Sequence, residues 1–323
     1  MFSSTMNSPK APAVTIIGGG PVGCYAGHLL AREHINTTII DVLQNQLFPE
    51  GEQREPDKEV LRYREALLMG YREQKKIGIS NRLILSIHKE LIPNGDQGYR
   101  RQQNRITNSS TGEVIYTPPI ASSLPSLIGN WEKYVNDKSL SPDPLVSCAV
   151  AHYQFEAIHP FSDGNGRTGR ILMVLQLVDR GLLRFPILFI SGYINKHRSK
   201  YYRVLRNVTA RGEWDAYLAF MLKGYYEQAK ETKELLLKIR ELFFEYKKVI
   251  KSDFRNIYSA DLVELMFSYP VLSPVKLARK LGIHYTTASR HLRSLTERGL
   301  LSDLRFRNYH LFVNEKLLAI LSR

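Results

Sequence analysis

The chain has 323 residues, 43% hydrophobic, with a formal net charge of +14 and only two cysteines, Cys24 and Cys148. That length gives two or three units with ample core, and no apolar run reaches the ~18 residues a membrane-spanning helix needs. Two cysteines exclude a disulfide scaffold and a cysteine zinc site and fit a reducing cytoplasm, while the basic excess points to nucleic acid or another acidic partner.

Residues 1–45 open on a Ser/Pro-rich stretch without the basic leader and cleavage pattern of a secretory signal. A strand, a glycine turn, a helix and a second β-rich run ending in Asp41 follow, so a short βαβ-like segment is expected. Gly18, Gly20 and Gly23 fit GxGxxG, and the segment resembles the start of a flavin or nicotinamide domain. The further strand and helix pairs that would complete a dinucleotide crevice do not follow, and a flavin oxidoreductase would announce itself as a yellow protein.

Residues 46–250 carry the chemistry. Leu145 to Ile158 reads as an amphipathic or buried helix, and Ile171 to Val178 opens another that is apolar nearly all round. Between them runs His159-Pro160-Phe161-Ser162-Asp163-Gly164-Asn165-Gly166-Arg167-Thr168-Gly169-Arg170. The glycines let successive backbone N–H groups converge on one point and make an anion nest at the positive end of the second helix. Asn165 can orient a phosphate oxygen through its amide. Arg167 and Arg170 lie three apart on the first turn, where guanidinium forks suit phosphate. Asp163 suits a Mg2+ ion shared with phosphate oxygens, and His159 has the unperturbed pKa for proton abstraction near neutral pH.

This run resembles the Fic family signature HxFx(D/E)GNGRxxR at every specified position, and the likeness extends from about Asp41 to about Ala229. The resemblance implies a mainly α protein: an all-helical Fic core with a β-hairpin flap, followed by a winged helix and preceded by the βαβ-like segment. It also implies transfer of AMP from ATP to a Ser, Thr or Tyr hydroxyl of a target protein or of the chain itself. By position, His159 would be the general base and Asp163 the metal ligand. Gly164, Asn165, Gly166, Arg167 and Arg170 would bind the nucleotide phosphates, and Phe161 would be a buried anchor. Gly98 to Pro119 matches the flap, which aligns an extended target segment by strand addition; as a pattern it also reads as a plain surface hairpin. Tyr193, Tyr201 and Tyr202 are set against the adenine side or ordinary packing. Many relatives carry an inhibitory helix patterned (S/T)xxxE(G/N), whose glutamate pairs with the second motif arginine. Glu33 stands in that place, but Leu29 and His34 break the pattern, as if a rearranged N-terminus had weakened autoinhibition.

Glu227 to Lys251 reads as a connecting helix. Residues 251–323 form the third unit, where the stretch from Ser273 to Arg323 has ten Lys and Arg against three acids. Three helices, in SADLVELMFSYP, SPVKLARKLGI and YTTASRHLRSLTERGL, precede a basic hairpin, and the whole resembles a winged helix-turn-helix. Ser273 and Pro274 start the second helix, Gly282 makes the turn, and Thr286 or Thr287 caps the third. Leu292, Leu295 and Leu300 face the core, which leaves Thr286, Ser289, Arg290 and Arg293, with Arg305 and Arg307 of the wing, as candidates to contact DNA. Winged helices also serve as dimerisation units, so a homodimer is the competing use. The runner-up function is a DNA-binding regulator whose Fic core senses nucleotide.

Overall fold

The computed structural model describes residues 55–96, 98–107, 112–139, 143–306 and 309–321. The βαβ-like segment with Glu33, the Asn108–Thr111 turn and Arg307 lie outside them. The described chain is mainly α-helical, as expected. It divides into two compact units: Leu61–Glu234, and a second comprising Leu235 onward together with the described residues before Leu61. Among the described residues no helix is long and apolar enough to cross a membrane.

The first unit is built from most of α1 (Glu55–Ile77), α2 (Asn81–Leu91), the strands β1 (Ile106–Thr107) and β2 (Val114–Tyr116), and α3 (Leu124–Asn136). Next come α4 (Pro144–Ile158), α5 (Asn165–Asp179), α6 (Ile190–Lys196), α7 (Arg198–Arg211) and the start of α8 (Trp214–Asp253). Local chemistry sets several starts. Ser80 caps α2 by accepting from the Leu83 amide, and Asp143 caps α4 by accepting from Leu145 and Val146, with Pro144 at the first helical position. The expected helix from Leu145 is therefore present. The second expected helix starts earlier than its apolar run, at Asn165, because the glycine turn itself provides its N-terminus.

A central pair, α4 and α5, is buried on several sides, which is why neither reads as cleanly amphipathic. One face joins Leu83, Ile87, Ile128, Trp131, Phe155 and Leu172; the other joins Cys148, Met173, Leu177, Tyr217 and Met221. Trp131 donates its indole N–H to the Ala151 carbonyl at 2.8 Å, so a large apolar ring enters the core without an orphaned donor. Cys148 is fully buried, and burial pushes its thiol up to about 12, which makes it an inert core residue.

The close approach of α4 and α5 depends on Gly169. A Cβ there would stand 2.4 Å from Glu156 Oε1 and 3.1 Å from Phe155 Cδ1. Gly169→Ala should therefore lose stability, the overpacking of about 1–3 kcal/mol outweighing the ~1 kcal/mol that alanine gains in a helix. A thermal melt of the purified variant checks this; a raised midpoint would contradict it.

The second unit contains the end of α8, then α9 (Ala260–Ser268), β3 (Val271–Leu272), α10 (Pro274–Leu281), α11 (Tyr285–Glu297), β4 (Ser302–Phe306), β5 (Tyr309–Val313) and α12 (Glu315–Leu321). The strands form an antiparallel sheet in the order β3-β5-β4. Ser273 caps α10 and Gly282 ends it in the left-handed region at φ 65°, both as expected. The cap of α11 differs: His284, not Thr286 or Thr287, accepts from the Thr286 amide. Leu292, Leu295 and Leu300 are buried as expected. Ser289 requires correction as an exposed candidate, because it is buried beside Ala288 on the inward face of α11. Thr286, Arg290, Arg293 and Arg305 are exposed.

Candidate active site

Helix α4 ends at His159, whose φ of 50° makes it the one non-glycine residue with positive φ among the described residues. Its amide still donates to the Phe155 carbonyl at 3.0 Å, so the left-handed residue closes the helix and turns the chain sharply. A histidine in that region carries backbone strain, which the surrounding bonds must hold in place.

Phe161, fully buried as expected, fixes the turn from below. Its ring stacks on His88 with centroids 3.6 Å apart, and the His88 Nε2–H donates to the Asp163 carbonyl at 3.0 Å. Asn165 fixes it from the other side: its Oδ1 accepts from the Phe161 amide at 2.9 Å and its Nδ2 donates to the Phe161 carbonyl at 2.7 Å. Both ends of the Asn165 amide are thus engaged within the loop. In the described structure this amide braces the turn.

Gly164, at φ 80°, is the N-cap of α5, and its missing Cβ leaves room for Ile92 Cγ1, which a side chain would meet at 3.0 Å. The first-turn N–H groups of α5 have no intrahelical acceptor, and they carry the positive end of the helix dipole. Beside them the Arg167 Nη2 group meets Asp163 Oδ2 at 3.0 Å, an exposed pair, and Asp163 Oδ1 accepts from the Gly164 amide. Arg170 folds back toward the same helix start: a Cβ on Gly166 would lie 3.0 Å from its Nη1. The motif glycines therefore serve the turn, the arginine and the helix contact separately.

Electrostatics of the site follow from burial. His159 is held below the ordinary imidazole value chiefly by burial; the Glu156 backbone and Asp163 oppose this, and Arg100 adds to it. Such a ring is neutral, and able to accept a proton, at neutral pH. One turn back on α4, burial raises the Glu156 carboxyl to about 7 against the pull of Arg170. His152, buried and hydrogen-bonded to the Tyr201 hydroxyl at 2.8 Å, is lowered to about 3 by burial and by Arg170.

Strands β1 and β2 pair antiparallel, Ile106 with Tyr116 and Thr107 with Val114, at the expected flap. Alongside lies a cleft of about 220 Å³ lined by Ile115, Tyr116, Tyr153, Glu156, Tyr202 and Arg206, among others. Of the three tyrosines set against the adenine side, only Tyr202 reaches this cleft; Tyr193 and Tyr201 are core residues. Two residues that the motif did not single out enter the site: Glu156, and Arg100, which is 3% exposed and donates from Nε to the His159 carbonyl at 2.9 Å. Arg100 is 59 positions from His159, and only its place within the Gly98–Pro119 flap brought it near the site in advance.

Residues 78–177 match the Fic/DOC family. The matched segment thus covers α2, β1, β2, α3, α4 and nearly all of α5, and it contains His159 and the glycine turn that follows it. Residues 242–317 match a second family, described as the C-terminal domain of SoFic-like protein adenylyltransferases. A protein of Aquifex aeolicus (strain VF5) named a probable protein adenylyltransferase is 35% identical over 139 residues, 42% of this chain and 38% of that one. The protein adenylyltransferase Fic of Aedes aegypti is 34% identical over 143 residues, 43% of this chain and 26% of that one. The chain thus spans about a quarter of the insect protein's length. A crystal structure of a Fic family protein from Desulfovibrio desulfuricans G20 aligns over 86% of this chain and 82% of that one, with 19% identity and a TM-score of 0.49.

Proposed function

We propose that the protein transfers AMP from ATP to a side-chain hydroxyl of a target protein or of itself. The observation that carries this reading is the left-handed turn at His159, which closes α4 a few residues before Gly164 opens α5, with an imidazole that burial holds below its ordinary value and with Arg167 and Arg170 on the first turns of α5. A base and an anion nest held on one rigid turn suit attack of a hydroxyl on a phosphate.

His159 takes the proton of the target hydroxyl as its oxygen bonds to the α-phosphorus. The bond from that phosphorus to the bridging oxygen breaks, and pyrophosphate leaves. The first-turn amides of α5 hold phosphate oxygens, while Arg167 and Arg170 stabilise charge on the leaving side. Asp163 fits magnesium as an exposed, hard oxygen donor beside the nest, since that ion takes one or two carboxylates plus phosphate oxygens and water. Bound there, the ion would neutralise phosphate charge. The cleft next to the flap receives the base and ribose against Tyr202 and Ile115. Val114 and Ile115, each 43% exposed, offer a strand on which an extended target segment can add.

The test is transfer of α-labelled AMP from ATP and magnesium by the full chain and by His159→Ala, to itself and to lysate proteins. Label that disappears with His159→Ala is the expected result. Equal labelling by both, or none with either, would overturn the reading.

A further inference from the structure

The turn that carries His159 is held by the flap, and the bonds converge on one residue. The last carbonyls of a helix have no intrahelical donor and must find one elsewhere. Here the flap supplies a donor to one of them, at Ala157, and donors to the cap and the two residues beyond it. The Tyr116 hydroxyl donates to the Ala157 carbonyl at 2.8 Å, Arg100 Nε to the His159 carbonyl at 2.9 Å, the Arg100 amide to the Pro160 carbonyl at 2.9 Å, and Asn104 Nδ2 to the Phe161 carbonyl at 3.2 Å. Arg100 also donates from Nη1 to the Gln102 carbonyl at 3.1 Å and from Nη2 to the Pro119 carbonyl.

One guanidinium therefore ties the chain entering the flap, the chain leaving it, and the carbonyl of the strained histidine. It does so while buried, and among the described residues its side chain donates to backbone carbonyls. Burying a cation against carbonyl dipoles alone is costly, and an ordinary hairpin base does not require it. A planar fork with donors in fixed directions can bridge three carbonyls at once, which a lysine ammonium cannot.

We propose that Arg100 is a positioning residue that couples the flap to His159, so that a target strand seated on the flap is held in register with the base. This rests on the adenylyl-transfer reading of the same site. Because the guanidinium fixes both ends of the hairpin and the His159 carbonyl, strand and imidazole shift together or not at all.

The experiment uses the full chain with Arg100→Gln and Arg100→Lys, and Asn104→Ala as a milder variant that removes one flap bond without emptying the buried cation site. Two quantities are read: kcat and KM for ATP in AMP transfer, and the titration of the His159 ring by NMR with 13Cε1-labelled histidine. Arg100→Gln should lower kcat about 10- to 100-fold with KM for ATP within about threefold. The His159 titration should move up, because a nearby positive charge has gone. Arg100→Lys should keep most of the titration position but not the rate, and Asn104→Ala should lower kcat about threefold at unchanged KM. Full activity in Arg100→Lys, or an unmoved His159 titration in Arg100→Gln, would overturn the proposal. If the Arg100 variants do not fold, an unchanged kcat in Asn104→Ala overturns it alone. If the wild-type chain transfers no AMP, the function reading falls, and the titration in Arg100→Gln still decides the clasp.

Discussion

Replacing His159 with asparagine should lower kcat/KM for AMP transfer by about 10²–10⁴-fold, the range a positioned general base supplies, while leaving the fold intact. Asparagine is the sharper substitution because the position has φ 50°, a region that asparagine tolerates better than alanine does. An alanine variant mixes loss of the base with local strain at the end of α4. The pH profile adds a second check. Burial holds the His159 pKa below the ordinary imidazole value, so the acid limb of kcat/KM should fall below about pH 6.5 and leave activity flat through neutrality. A rate that keeps falling from pH 8 to 6.5, or an asparagine variant of near wild-type rate, would remove His159 from the base role.

Glu156→Gln should stabilise the protein at pH 8 and have little effect near pH 4.5. In the folded protein burial raises the carboxyl to about 7, from the ordinary value of about 4.5 in an unfolded chain. Below 4.5 both folded and unfolded chains hold the proton. Between 4.5 and 7 the unfolded chain releases it and the folded chain does not, so stability falls as pH rises; above 7 the full cost remains, on the order of 3 kcal/mol. His152 works in the opposite direction. Its folded value of about 3 means that the unfolded chain gains a proton first as pH falls below 6.5, so stability drops toward acid. In the wild type the two slopes cancel between about pH 4.5 and 6.5. In Glu156→Gln only the histidine slope survives, and stability should climb across that window. Denaturant midpoints at pH 4.5, 6 and 8 measure it; a difference between variant and wild type that does not grow with pH would show that Glu156 stays ionised in the folded state. Arg170 is the group that restrains the Glu156 shift, and its charge acts on His152, Tyr201 and Tyr63 as well.

The twelve residues from His159 to Arg170 determined the glycine turn and the start of the helix that follows, because several of the bonds that shape them span four residues or fewer. Phe161 with Asn165, Gly164 with Thr168 and Arg167 with Asp163 are all pairs of this kind. Serine caps before α10 and a glycine after it were legible for the same reason, as was the leucine stripe of α11. What chain order could not reveal was which atoms each side chain would reach. Asn165 bonds its own loop, Ser289 turns inward, and His284 takes the cap assigned to a threonine, since helix phase and turn geometry choose among adjacent polar residues. Tertiary structure alone decided the long-range chemistry: Arg100 on the His159 carbonyl across 59 positions, His88 on Asp163 across 75, and Glu156 set against Gly169 where two helices meet. Those contacts exist because orphaned helix carbonyls and buried charges need partners, and the chain finds them only once its helices have packed.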